Sequence, residues 1–224
     1  MRASFNPSRS DQVRCPPGTL NTVTLGPAVP PMTGPGRLAR DFVPESHRHL
    51  PMLRVLFPLI DRDDRLVRWS GYVSLVAELA SLSWWTVIDR TAQDRPEVHD
   101  LVSCRGELDA VTLAGLDDVI GASALTALRW VGYAEHPVTD PSVRVFGNEF
   151  GAAPLRRGDL RVGERVPEFA WDEDGVIAWG AHLYPDSLIL AGEITRIRRA
   201  HADPRLDTII VRPDADVLPA SWGD

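Results

Sequence analysis

The chain contains no lysine: all 24 basic residues among its 224 are arginine. That excludes Schiff-base catalysis, a pyridoxal-phosphate anchor and a P-loop lysine. The bias itself is that of a GC-rich, bacterial genome. Cysteine is scarce as well. Cys15 and Cys104 are the only two, too few for a disulfide framework or a zinc site, and the expected compartment is the cytoplasm. No apolar run approaches the ~18 residues of a membrane span. The N-terminus lacks the apolar stretch of a secretory signal. Positive charge is outweighed, at a net charge of -7, which argues against a nucleic-acid binder or a ligand of anionic membranes. No cofactor is expected.

A hydrophobic fraction of 44% and a charged fraction of 25% are those of a globular domain with a core of its own. Residues 1–46 differ from the rest. Proline recurs at 7, 16, 17, 27, 30, 31, 35 and 44, with Gly18, Gly26, Gly34 and Gly36 between. Such a segment buries too little apolar surface to offset its ordering entropy. It reads as a flexible, disordered arm, or as sequence upstream of the true start codon, with one domain over residues 47–224.

The hydrophobic patterning predicts an α+β fold, mainly an antiparallel sheet built from hairpins with a central helical segment packed on it. Residues 52–60 read as a strand and 65–72 as its hairpin partner across the acidic connection 61–64. Residues 74–82 read as a buried helix from Leu75, Leu79 and Leu82, with a continuous strand as the alternative. Residues 83–89, SWWTVID, read as a strand. Three helices are expected between 94 and 134: one to about Cys104, one after Thr112, and one over 123–133. Residues 135–167 are turn-rich around a short strand at 143–146. Residues 169–171 and 176–179 form a hairpin whose Asp172-Glu173-Asp174-Gly175 turn ends in Asp-Gly. Residues 187–199 read as a helix, or as a strand at 188–190 leading into one. Residues 207–212 are a closing strand, followed by a tail, 218–224, with Trp222 docked on the body.

Four groups of residues could carry chemistry. Asp172, Glu173 and Asp174 could bind a hard cation, although D-x-D-G lacks the later ligands of a calcium loop and no metal is expected. His182, Asp186 and Ser187 could supply base, orienter and nucleophile, although Asp186-Ser187 also fits a helix cap. His99, His136 and His201 lie far apart without ligand-pair spacing, and His47 and His49, at the arm boundary, read as solvent-facing. Arg196, Arg198, Arg199, Arg205 and Arg212 could grip a phosphate or carboxylate, or form an ion-paired face.

Residues 102–116, VSCRGELDAVTLAGL, resemble the opening of an anti-sigma-factor-antagonist domain, where a strand ends in Gly-Glu-Leu-Asp. The phosphorylatable serine segment of those domains is missing, because Ala122-Ser123-Ala124 opens a helix instead. Residues 209–217, IIVRPDADV, resemble the closing strand of the thioredoxin-like tail of aromatic-ring flavin hydroxylases, without the flavin-binding glycine motif. No family is assigned from either.

Seven tryptophans in this length favour a binding surface, because tryptophan is enriched at interface hot spots. The leading expectation is a small acidic protein, inhibitor- or immunity-like, that binds a basic protein through Trp171, Asp172, Glu173, Asp174, Trp179 and Tyr184. One alternative is an enzyme or small-ligand protein with a pocket near His182, Tyr184 and Asp186. Another is an assembly subunit that uses the arm.

Overall fold

The computed structural model describes Met32, residues 36–133 and residues 142–217. Residues 1–31 and 33–35 of the arm, with Cys15, and residues 134–141 with His136, lie outside the described residues. So does the tail 218–224 with Trp222.

The strands in chain order are β1 (Met52–Leu56), β2 (Leu59–Ile60), β3 (Leu66–Val67), β4 (Val102–Ser103), β5 (Leu125–Trp130), β6 (Ser142–Val145), β7 (Asn148–Leu155), β8 (Phe169–Trp171), β9 (Ile177–Gly180), β10 (Ser187–Gly192) and β11 (Asp207–Val211). The α-helices are α1 (Trp84–Ala92), α2 (Ala110–Ile120) and α3 (Ile194–Ala202). Eight of these strands form one antiparallel sheet in the order β11-β1-β10-β9-β8-β5-β7-β6, and β3-β2-β4 form a small second sheet. The class is α+β with a large antiparallel sheet.

Both faces of the large sheet are covered. Leu53, Val55, Ile177, Trp179, Leu188 and Leu190 pack with α2 and α3 through Leu116, Val119, Ile120, Ile197 and Ala200. On the other face, Met52, Phe169, Ala178 and Ile189 cluster with Phe42, Val43, Trp69 and the α1 residues Val87 and Ile88. Burial on both faces explains one misreading. Residues 123–133 suggest a helix, yet Leu125–Trp130 is a strand paired on both sides, with β7 and β8. A strand apolar on both faces loses the period of two that would distinguish it.

Other elements also depart from their local reading. SWWTVID is α1, not a strand. The Ser83 hydroxyl caps it by accepting from Thr86 N–H at 3.0 Å, and Val87, Ile88 and Ala92 turn inward. The helix expected over 94–104 is a single 3-10 turn, Pro96–Asp100, followed by β4. The helix after Thr112 does form, capped one turn earlier by Asp109, whose carboxylate accepts from Thr112 N–H at 2.6 Å. Residues 187–202 are the strand-then-helix alternative, β10 and α3. Residues 36–46, assigned to the arm by composition, are packed on the body. Ala39, Phe42 and Val43 are buried, and Ala39 and Arg40 N–H donate to the carbonyls of Ala215 and Pro213 at 3.0 Å. Gly180 admits them, because a Cβ there would come within 1.8 Å of the Phe42 carbonyl oxygen.

Residues 74–82 are not a helix of any length, only a 3-10 segment, Ala77–Ser81. Their carbonyls are taken by Arg54. This guanidinium stands in mid-β1, opposite Ile189 and Ile209, and is 1% exposed. Its Nη1 donates to the carbonyls of Ala80 (2.7 Å), Leu82 (2.8 Å) and Leu79 (3.3 Å), and its Nε to Ser187 Oγ (2.9 Å). Its Nη2 lies 3.4 Å from Asp186 Oδ1. Asp186 accepts in turn from Ser187 Oγ–H at 2.6 Å and from the first N–H of α1, Trp84, at 3.3 Å. Arg54→Met would leave a buried carboxylate short of its cation and the Ala80 and Leu82 carbonyls short of a donor. The expected loss is about 3–5 kcal/mol, read from urea unfolding with an unchanged slope. A loss below about 1 kcal/mol, the range of an exposed pair, would show that the cluster does not hold the face together.

Candidate functional site

The β8–β9 turn is not the uniformly solvated acidic loop its sequence suggests. Glu173 and Asp174 are exposed, but Asp172 is only 4% exposed. Its Oδ1 accepts from Val176 N–H (2.9 Å) and Ile177 N–H (3.2 Å), which closes the turn, and lies 3.0 Å from His47 Nε2. His47 is itself 1% exposed, so the solvent-facing reading of that histidine is overturned. Pro44 starts a 3-10 turn, Glu45–His47, in which His47 N–H donates to the Pro44 carbonyl at 2.9 Å. The turn points His47 inward and leaves Glu45 and Ser46 in solvent. Ser46 Oγ then sits 2.9 Å from His47 Nδ1.

The proton positions follow from Asp172. A carboxylate only accepts, so His47 Nε2 carries a proton, and in the neutral ring Nδ1 is the nitrogen that accepts from the Ser46 hydroxyl. The result is a hydrogen-bonded line from an exposed serine through a buried imidazole to a buried carboxylate. The hairpin tip lies against it, since a side chain at Gly175 would begin 3.9 Å from the Ser46 carbonyl oxygen.

The serine, histidine and aspartate singled out in the sequence do not form such a line. His182 Nε2 donates to the Gly36 carbonyl at 3.1 Å, and its ring packs on Phe42 and Phe146 with centroids 4.7 and 5.9 Å away. Burial holds its pKa below the ordinary histidine value. Asp186 and Ser187 belong to the Arg54 cluster. The expected binding set also divides. Trp171 is half-buried beside the tip, whereas Trp179 is fully buried on the opposite face of the sheet, donating Nε1–H to the Pro167 carbonyl at 3.0 Å.

Tyr184 sits at the other end of the hairpin, beyond Gly180, with φ of 52°. It meets Trp130 and Tyr133 edge-on at 5.9 and 5.4 Å, and the Arg165 guanidinium lies over both tyrosine rings, at 4.8 Å from Tyr133 and 5.6 Å from Tyr184. Beside them Glu168 is 0% exposed. Its Oε2 accepts from Trp130 N–H at 3.0 Å, while Oε1 has no hydrogen-bond partner among the described residues. Burial raises its pKa above the usual carboxylate range, against the opposing pull of the Tyr133 hydroxyl and the Arg129 charge. A lone Glu before an apolar strand gives no sequence signal of this.

Of the arginines, Arg199 and Arg205 meet Arg157 in a groove of about 310 Å³ between α2 and α3. Arg157 and Arg205 each hold Asp118 at 2.6 Å, Arg205 also holds Asp203, and Arg199 donates to the Asp118 carbonyl. This is the ion-paired face. Arg196 donates to Ser123, and Arg212 pairs with Asp214. Among the described residues no group of three or more His, Cys, Asp or Glu side chains is placed to hold a metal ion. Nor is any helix there long and apolar enough to cross a membrane. No protein-family model, curated protein or solved structure matches the chain.

Two outcomes follow for the carboxylates. D172N leaves backbone donors and His47 against an amide, and should cost about 1–3 kcal/mol. E173Q and D174N should each stay within about ±0.5 kcal/mol. Denaturant midpoints of the three variants measure the contrast. For Glu168 the raised pKa means that its favourable contribution is complete below the ordinary carboxylate range and is lost as pH rises through the raised value. The stability of E168Q relative to wild type should therefore increase with pH across that interval. Melting temperatures of both proteins across acid to neutral pH test this, and a difference independent of pH would contradict it.

Proposed function

We propose that the chain is an interaction protein that binds a basic protein partner through the tip of the β8–β9 hairpin. The observation that carries this reading is the anchoring of Asp172. Its bonds to Val176, Ile177 and His47 hold the turn in one shape, so that Glu173 and Asp174 project from a rigid base. Exposed charges on a preorganised turn lose little entropy on binding, and they steer association with a partner of opposite sign. Glu45, exposed on the adjoining 3-10 turn, and the net charge of -7 add to the same field. Half-buried Trp171 beside the tip supplies an aromatic edge. Inhibitor- and immunity-like proteins act in this way, and the cytoplasm is the compartment the reading implies. Buried Cys104, a free thiol, is consistent with it. A pocket near His182, Tyr184 and Asp186 has less support, because each of the three side chains or its backbone is tied into packing or a hydrogen-bond network.

The test compares the wild type with E173Q/D174N, leaving buried Asp172 in place. Each is used to capture proteins from a lysate of the source cell, and the association kinetics of a recovered protein are then measured at low and high salt. The expected partner is basic. The double variant should slow its on-rate by about tenfold at low salt and flatten its salt dependence. A partner whose on-rate and salt dependence are the same for both proteins would remove the hairpin tip from the interface.

A further inference from the structure

We propose that Ser46 is an acyl-accepting nucleophile, with His47 as its general base and Asp172 as the residue that positions the imidazole. This goes beyond partner binding and does not rest on it. The hydroxyl is exposed and 2.9 Å from Nδ1, Nε2 is 3.0 Å from a carboxylate, and both lower members of the line are buried, at 1% and 4% exposure. Asp172 is fixed by two further backbone N–H bonds, so it cannot rotate away, and it dictates which nitrogen is basic. The ring nitrogens exchange the places they hold in most serine hydrolases. The relay is unchanged by this, because a proton taken up at one nitrogen is stabilised through the ring by the acceptor at the other.

The substrate class is a carboxylic ester. The acidic surround of Glu45, Glu173 and Asp174 favours a neutral or cationic acyl donor over an anionic one. In the first step Ser46 Oγ bonds to the carbonyl carbon and its proton passes to His47 Nδ1. The C–O bond to the alcohol breaks, and the departing alkoxide takes that proton. In the second step water attacks acyl-Ser46, gives a proton to Nδ1, and Ser46 Oγ leaves and recovers it. The products are one acid and one alcohol.

The lysine-free sequence makes the test clean, since no side-chain amine competes for acyl groups. The purified full chain is incubated with p-nitrophenyl acetate at neutral pH, and acetylated peptides are quantified by mass spectrometry. A positioned general base contributes about 10²–10⁴-fold, so Ser46 should be acetylated at least about 100-fold faster than the exposed hydroxyls of Ser70, Ser74 and Ser81 in the same molecule. S46A, which alters an exposed residue, should keep its melting temperature and lose the adduct. D172N can keep an oxygen where the Val176 and Ile177 N–H groups and Nε2–H meet Oδ1, but it removes the negative charge that stabilises the imidazolium formed during the reaction. It should lose Ser46 labelling at neutral pH while circular dichroism still shows a folded chain, an outcome that a purely structural Asp172 would not produce. Equal acetylation of Ser46 and the three control serines, together with p-nitrophenolate release that S46A leaves unchanged, overturns the proposal, as does undiminished Ser46 labelling in folded D172N. The ester is small and neutral and no partner is present, so failure here leaves the binding reading standing, and the reverse also holds.

Discussion

A guanidinium in the middle of a sheet is the constraint from which much of one face of this molecule follows. A guanidinium has five N–H donors and no acceptor, so burying Arg54 requires acceptors on every side. They come from Ser187 at the start of β10, from Asp186 just before it, and from the irregular segment around Ala77–Ser81. The carbonyls of Ala80 and Leu82 point at Arg54, while that of Leu79 accepts both from Arg54 and from Leu82 N–H, three residues onward as in a 3-10 turn. Asp186 extends the same cluster to the first N–H of α1. The sheet, the 3-10 segment and the helix are thereby joined by one charge and its ligands. Such a cluster specifies an arrangement more than it stabilises one, because desolvation of the ions offsets much of their attraction.

The second organising contact involves a glycine. Gly180 lets the Phe42 carbonyl approach the sheet closer than any side chain would permit, so residues 36–50 lie across β8 and β9. That placement brings His47 onto Asp172, 125 positions away in the chain. The short β8–β9 hairpin then has two chemically different ends. One carries the serine–histidine–carboxylate line and the exposed acids. The other carries Tyr184, Trp130, Tyr133 and the buried Glu168, with an arginine laid over the tyrosine rings. A reading that gathered Asp172 and Tyr184 into one surface joined the two ends of a hairpin that faces in two directions.

Where apolar pattern and turn chemistry agree, the sequence alone determined the structure. Phe169–Trp171 and Ile177–Gly180 are strands because aromatic and β-branched residues flank an Asp-Gly turn. Asp207–Val211 closes the sheet as its apolar run predicts, and the α+β class follows from such segments together. The missing lysines excluded whole reaction types without any structure. Tertiary structure decided the rest. SWWTVID has strand propensity, but Asp186, accepting from its first helical N–H, and the burial of Val87 and Ile88 in the core made it a helix. Leu125–Trp130 has helical spacing, but two neighbouring strands claimed its backbone. Ser46 was the last residue of a segment whose composition indicated disorder, His47 stood at its boundary, and no local signal tied either to Asp172. Short-range energies of a few tenths of a kcal/mol per residue set the first group of elements. They were overridden in the second by burial and hydrogen bonds to residues distant in the chain, whose identity no local window contains.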